Sequence, residues 1–346
     1  MNFSGKVCVL TGAAGGMGRE LALQLSAEGC NLALCDVREK ELDETVAMCK
    51  TRIRAAYNFE ARVIGHVVDV CNEQQIEDFR SIVVQTFGDT IHLLINNAGI
   101  ATAGSFTEME KERFDRTFDV SFKGTVFFTR AFLPLAINAE RASIVNLSSI
   151  NGIWFCLGPA TWPVRTPPHA PYCAGKAAIR GFTEALMFDA AQNFPHVTVA
   201  CVHPGHVGTD IATLSEVSSD AGAALDTART RAARIGVERA ESMTLEELRL
   251  AVGNRFKEMA PLSAKEAAAQ ILDGVKKGRT RIMVGEDAII IDLLTRMFPR
   301  LVYNDYFITF VIMPWTFTAT RIGKPFGKFL FPALLAALSL RFASRL

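Results

Sequence analysis

The chain has 346 residues, 37 Lys and Arg against 36 Asp and Glu, a formal net charge of +1 and a hydrophobic share of 49%. That length suits one large α/β domain with an appendage, and the balanced charge argues against nucleic acid as a partner. Eight cysteines, none in a Cys-x-x-Cys spacing, read as buried reduced thiols in a reducing compartment, and no metal is expected.

From the N-terminus, Met1 to Lys6 run almost directly into an apolar stretch, without the pattern of a secretory signal. A cytoplasmic protein is therefore expected. Apolar β-rich runs predict strands over 6–10, 31–35, 62–68, 91–95, 142–147, 197–202 and 281–284. Between them, apolar residues at three- and four-residue spacing predict helices over 39–54, 73–87, 108–138 and 173–193. Alternation of this kind implies a parallel sheet covered on both faces.

The first strand leads into Thr11-Gly12-Ala13-Ala14-Gly15-Gly16-Met17-Gly18, and then a helical pattern begins at Leu21. Glycines there let the backbone approach a pyrophosphate, and free N–H groups at the helix start attract its charge. The second strand ends in Asp36, whose carboxylate accepts from a ribose hydroxyl and repels a 2′-phosphate. With Ala14 and Gly15 in the turn instead of a basic residue, this favours NAD over NADP. Arg38, two residues on, is expected to pair with neighbouring acids.

Farther along, the strand 142–147 ends in Ser148 and Ser149, where ligands bind in open α/β sheets. Tyr172 and Lys176 stand four residues apart, one turn of a helix. A neighbouring ammonium lowers a phenol's pKa from about 10, so that the phenol exchanges a proton with an alcohol or ketone near neutral pH.

Together these residues resemble the classical short-chain dehydrogenase/reductase family over about residues 1–210. The resemblance implies a Rossmann-type, doubly wound parallel sheet of about seven strands with helices on both faces. It places the phosphate turn at Thr11, Gly12, Gly16, Met17 and Gly18, and an adenine contact at Asp69 and Val70. Asn97, Ala98 and Gly99, after Asn96, match a motif lining the cofactor. Pro204, Gly205, Val207 and Thr209 match the segment that holds the nicotinamide. Ser149, Tyr172 and Lys176 match the catalytic serine, tyrosine and lysine, with Tyr172 as general acid or base and Lys176 also on the nicotinamide ribose. The implied reaction is hydride transfer, and paired or fourfold subunits are implied through helices 108–138 and 173–193.

Two departures stand out. Ser121 occupies the place where the family usually has an asparagine; a hydroxyl can still hold a water in a proton relay. The gap from Ser149 to Tyr172 is 23 positions, longer than the family norm, and carries Pro159, Pro163, Pro167, Pro168, Pro171, Trp154, Trp162 and His169. This stretch reads either as a lip that shapes the substrate or as a decorated surface loop, with His169 a solvated loop histidine in preference to an extra acid or base.

Residues 1–285 read as one catalytic domain containing a helical insertion at 211–264, and 286–346 as an apolar, basic C-terminal extension. The insertion is either a substrate lid or a surface decoration; Thr244-Leu245-Glu246-Glu247 predicts a capped helix start within it. Its Arg229, Arg231, Arg234 and Arg239 read as a solvated face before an acid-substrate selector. Asp305 is the last acidic residue; beyond it lie two apolar runs with Trp315, and only Arg321, Lys324, Lys328, Arg341 and Arg345 carry charge. Neither run reaches the ~20 residues that span a bilayer, so peripheral membrane contact through 306–346 is expected, with packing on protein as the rival. Ser344-Arg345-Leu346 resembles a peroxisomal signal, a minor alternative. The resulting expectation is an NAD-dependent oxidoreductase for a lipophilic alcohol or ketone such as a steroid, retinoid or fatty alcohol. The alternatives are an NADPH-dependent reductase of lipid metabolism and a dinucleotide-binding sensor without turnover.

Overall fold

Strand and helix alternate along the chain, and the alternation builds a single seven-stranded parallel sheet. The computed structural model describes residues 2–56, 61–102, 104, 106–107, 109–154, 169–213, 221–234 and 236–300. The strands are β1 (Val7–Thr11), β2 (Asn31–Asp36), β3 (Val63–Val67), β4 (Leu93–Asn96), β5 (Ala142–Leu147) and β6 (Val197–Pro204). A two-residue pair, β7 (Val207–Gly208) and β8 (Leu262–Ser263), precedes β9 (Arg281–Val284). The order across the main sheet is β3-β2-β1-β4-β5-β6-β9. It reverses direction between β1 and β4, which opens a crevice at the carboxyl ends of those strands.

Side chains alternate between the two faces with the period of two that a strand imposes. Cys8, Leu10, Leu32, Leu34, Ile95 and Val145 pack with Leu21 and Leu25 of α1 (Gly16–Ala27) and Leu42 of α2 (Glu39–Ala56). Val7, Val9, Ala33, Leu94 and Ile144 point the other way, onto Phe79 of α3 (Glu73–Phe87). Phe128 and Phe132 join them from α5 (Gly124–Ile137), stacked 5.6 Å apart. Each such fully buried side chain contributes about 1.5–3 kcal/mol over its exposed state. The described cysteines are free, and all but Cys71 are buried.

The predicted helix over 108–138 is built in three parts: α4 (Lys111–Phe118), a π-helical turn (Asp119–Lys123) and α5. Together they make one run of 27 residues, long and apolar enough to cross a membrane by length and composition, with 50% of its apolar window buried inside the fold. The π turn falls on Ser121, so the local widening of the helix coincides with a predicted site residue. Next to it lies α6 (Ala170–Asn193), started by Pro171 at a position where proline's missing N–H costs nothing.

The insertion contains α7 (Ala221–Arg234) and α8 (Leu245–Met259), which share an apolar contact through Ala228, Ala232, Leu248 and Val252. Thr244 caps α8 reciprocally with Glu247, as its sequence predicts. Ser263 and Glu266 make the same box at α9 (Ala264–Lys276). After β9 the chain turns back as α10 (Glu286–Met297), whose Ala288, Ile291 and Leu294 pack on Ile150, Ile153 and Trp154. The catalytic turn after β5 is thus covered by a helix from beyond the last strand. The predicted lip residues Pro159, Trp162, Pro163, Pro167 and Pro168, and the extension from 301 to 346, lie outside the described residues.

Candidate active site

The crevice begins at the end of β1. Gly12 has φ +66°, a left-handed conformation, and a Cβ there would meet Asn97 Nδ2 at 2.8 Å. A Cβ on Gly18 would overlap the Gly12 carbonyl. Gly15 offers α1 no side-chain cap, which leaves the N–H groups of the first turn facing the crevice. This bare cradle with open N–H groups fits a dinucleotide pyrophosphate. Met17 contributes to it only through its backbone, because its side chain packs on the core. Thr209 closes the far side of the turn, 3.3 Å from where a Gly16 Cβ would stand.

Thr11, Asn97 and Ala98 are structural supports of that cradle. Thr11 Oγ1 accepts from the N–H of Asn97 (3.0 Å) and of Ala98 (2.9 Å). Asn97 Nδ2 donates back to the carbonyls of Thr11 and Gly12, at 3.0 Å each. Asp36 is buried at the end of β2; its Oδ2 accepts from Ala14 N (3.0 Å) and its Oδ1 from Arg38 N (3.0 Å). Arg38 Nε lies 3.5 Å from Oδ1, so the basic residue is paired with the acid beside it.

At Asp69 and Val70, where an adenine contact is expected, both side chains have partners in the protein. Asp69 is ion-paired to Arg116 at 3.0 Å and accepts from Cys71 N at 2.9 Å. Burial works to raise its pKa, yet these two partners outweigh burial and hold the carboxyl below the usual range. The Val70 side chain packs within the core, against the glycine that starts α5. What remains for a ligand at this point is backbone and the outer edge of the ion pair.

Ser149, Tyr172 and Lys176 converge. Ser149 starts a short 3-10 turn, Ile150–Gly152, and its Oγ accepts from Asn151 N at 3.1 Å. Ser149 lies close enough to the Tyr172 phenol to work toward lowering its pKa. Lys176 is buried, with Nζ donating to the Leu147 carbonyl at 2.7 Å and standing 5.6 Å from the Tyr172 ring centre. Gly99 leaves it room: a Cβ there would come within 3.3 Å of Nζ. Ser148 Oγ donates to the Lys176 carbonyl at 2.7 Å, fixing α6 to the end of β5.

One electrostatic expectation is corrected. Proximity to Lys176 does not bring the Tyr172 pKa below its ordinary value. Burial pushes the phenol up to about 12, against a smaller opposing influence of the Ser149 side chain. Burial also pulls Lys176 down to about 8. Desolvation of both charged forms exceeds the gain from one helical turn of proximity.

Ser121 is fully buried, and among the described residues its Oγ has no hydrogen-bond partner. It lies between Gly99 and Gly175: a Cβ on the first would come 3.8 Å from Oγ, and one on the second 3.1 Å from the Ser121 Cβ. His169 has a structural task, its Nδ1 lying 3.2 Å from the Thr102 carbonyl just before α6. At the nicotinamide end, Pro204 closes β6, Gly205 N donates to the Val284 carbonyl at 2.9 Å, and Val207 pairs through β7 with β8. Sequence reasoning misses His203, which is fully buried with Nδ1 3.3 Å from the Ser149 carbonyl. It also misses Asp287, whose Oδ2 accepts from His206 N at 2.6 Å. Alternation along β6 marks His203 as an inward position, but no spacing links position 287 to the loop at 205.

Comparison with known proteins agrees with this geometry. A family profile described as short chain dehydrogenase matches residues 6–218. The chain is 35% identical to the putative oxidoreductase SadH of Mycobacterium tuberculosis over 296 residues, 86% of this chain and 92% of that protein. It is 31% identical to mouse epidermal retinol dehydrogenase 2 over 54% of this chain and 55% of that one. Among solved structures it resembles a short chain dehydrogenase/reductase of Burkholderia phymatum in complex with NAD, with a TM-score of 0.67, 27% identity, and coverage of 88% of this chain and 98% of that one. With the glycine cradle, the Ser149–Tyr172–Lys176 cluster and a matching profile across most of the sheet, the chain belongs to the short-chain dehydrogenase/reductase family and is an NAD(P)-dependent oxidoreductase.

Proposed function

We propose that this protein interconverts a lipophilic secondary alcohol and its ketone, with NAD(H) in preference to NADP(H). The observation that carries the reaction is the convergence of Ser149, Tyr172 and buried Lys176, with Lys176 Nζ 5.6 Å from the Tyr172 ring centre. The dinucleotide supplies the hydride acceptor or donor when bound. Tyr172 holds its proton at neutral pH and gives it to a carbonyl oxygen; in the reverse direction it must first lose that proton, and its phenolate then takes the alcohol's proton. Ser149 donates a hydrogen bond to the same oxygen as negative charge gathers there. Lys176 places positive charge behind the phenol and a donor toward the ribose. Ser121, as a buried hydroxyl lacking a partner among the described residues, is suited to hold a water that carries the proton onward.

Asp36 supports the coenzyme preference. Its buried carboxylate sits at the β2 terminus, and the nearest cation, Arg38, is already engaged with it. The apolar character of the substrate is supported by the exposed Phe106 (67%), which lies edge-on to Phe114 beyond β4. The retinol dehydrogenase relative acts, by its name, on an apolar alcohol. The acid-free chain after Asp305 supports peripheral contact with a membrane, where such substrates reside. Subunit pairing through α5 and α6 is supported by Phe188, 74% exposed on α6.

Initial rates with NAD and NADP over a panel of secondary alcohols test the reading. NAD is expected to win in kcat/KM by about tenfold or more, equivalent to about 1.4 kcal/mol. Asp36→Ala frees Arg38 for a 2′-phosphate and narrows that margin. A wild-type preference for NADP would overturn the coenzyme assignment, and no turnover on any panel member would overturn the reaction.

A further inference from the structure

The loop that follows β6 is tied down from three sides. Gly205 N donates to Val284 of β9 at 2.9 Å. The His206 ring packs 4.3 Å from the ring of Phe256 in α8, with Nε2 3.0 Å from the Phe256 carbonyl. The His206 backbone N–H donates to Asp287 Oδ2 at 2.6 Å. Of the three ties, the last is made by a charged side chain, and it comes from α10, well beyond residue 218 where the family match ends.

Gly205 gives this contact a second, independent mark. A Cβ at that position would overlap both carboxylate oxygens of Asp287, and the three atoms nearest to it all belong to Asp287. Gly205 has no left-handed φ that would call for glycine by itself. The carboxylate therefore fills the space that a side chain at 205 would take. Gly285, before α10, is bare toward the same group, with a Cβ reaching Oδ1 at 2.5 Å. Burial raises the Asp287 carboxyl above its ordinary value, and the backbone N–H groups of His206, Asp287 and Ala288 oppose that rise in part.

We infer that Asp287 is a positioning residue for the nicotinamide end of the cofactor site. It fixes the Gly205–His206 backbone, and through it Val207 and Thr209, from a helix outside the matched family segment. The inference rests on the reading of 204–209 as the segment that holds the nicotinamide. A group in this position acts on how well the cofactor is seated, with little direct effect on proton transfer at Tyr172.

The test is a cycle of variants read by NADH titration and by steady-state kinetics on the full chain. Asp287→Ala is expected to raise the NADH Kd and the cofactor KM by about tenfold, the usual weight of a charge-assisted hydrogen bond, with a smaller change in kcat. Asp287→Asn retains an oxygen acceptor for His206 N–H and is expected to restore most of the affinity. Gly205→Ala alone is expected to weaken NADH at least as much. Added to Asp287→Ala, it is expected to cost far less, because the oxygens it would strike are gone. Equal NADH affinity in Asp287→Ala and wild type, or equal damage from Gly205→Ala in both backgrounds, would overturn the inference. Wild type that binds no NADH would instead overturn the cofactor reading itself, and this inference with it. Thermal unfolding checks each variant's fold; should Asp287→Ala fail to fold, Asp287→Ser takes its place in the same cycle.

Discussion

A single unpaired hydroxyl defines the sharpest question at the residue scale. Ser121 Oγ is buried and, among the described residues, without a partner inside a π-helical turn, next to the glycines that give Lys176 and α6 their room. An orphaned buried hydroxyl stabilises nothing by itself. Ser121→Ala is therefore expected to leave the denaturation midpoint within about 1 kcal/mol of wild type. If a water at this hydroxyl carries the proton away from Lys176, the same variant loses about tenfold or more in kcat. The pairing of unchanged stability with reduced turnover is the signature. Full turnover in Ser121→Ala would show that the proton leaves by another route. Tyr172 and Lys176 are read at the same scale: their spacing is plain in the sequence, but the sign of the Tyr172 shift is not, because burial is a property of the packed site.

At the scale of elements, β6 carries the buried His203 and the loop after it the half-buried His206. Burial pulls His203 and His206 each down to about 4 from the ordinary value of 6.5. Both are neutral in the folded protein, and the unfolded chain takes up more protons between pH 6.5 and 4. Their contribution to stability is therefore complete above pH 6.5 and is lost as pH falls toward 4. Urea denaturation at pH 7 and pH 5 should show a loss of about 2 kcal/mol per histidine. His203→Gln should flatten that slope by about half whatever its absolute stability. An unchanged slope would mean that the ring is protonated in the folded state.

The elements themselves were largely legible. The strand runs, the glycine turn and the capping boxes are local patterns, and β1 to β6 fall within a few residues of where alternation puts them. Tyr172 and Lys176 show their one-turn spacing in the sequence, and Ser149 is marked by the end of its strand. What escaped was long-range. The π turn interrupts an otherwise regular apolar pattern at 119–123 without a breaker residue. Asp69 and Val70 give their side chains to Arg116 and the core, a choice made by tertiary neighbours. His203 and Asp287 enter the site by folding, the first through the sheet and the second through a helix that returns after β9.

For the whole molecule, the charge after Asp305 is one-signed, five basic residues and no acid, whereas the chain up to Asp305 has 32 Lys and Arg against 36 Asp and Glu. A full chain mixed with anionic vesicles is expected to sediment with them and to be released as salt rises, since such attraction is screened beyond about 8–10 Å at physiological ionic strength. A chain ending at residue 300 is expected to stay in solution. Equal partition of the two would assign the extension to packing on protein. In the proposed reaction one phenol moves the proton while the glycine cradle holds the dinucleotide. The most direct measurement sets Tyr172→Phe beside wild type, with NADH affinity from fluorescence and turnover from absorbance of the reduced nicotinamide. NADH affinity within about threefold of wild type, with kcat down by about 100-fold or more, is the predicted result. Turnover that survives the loss of that hydroxyl would contradict it.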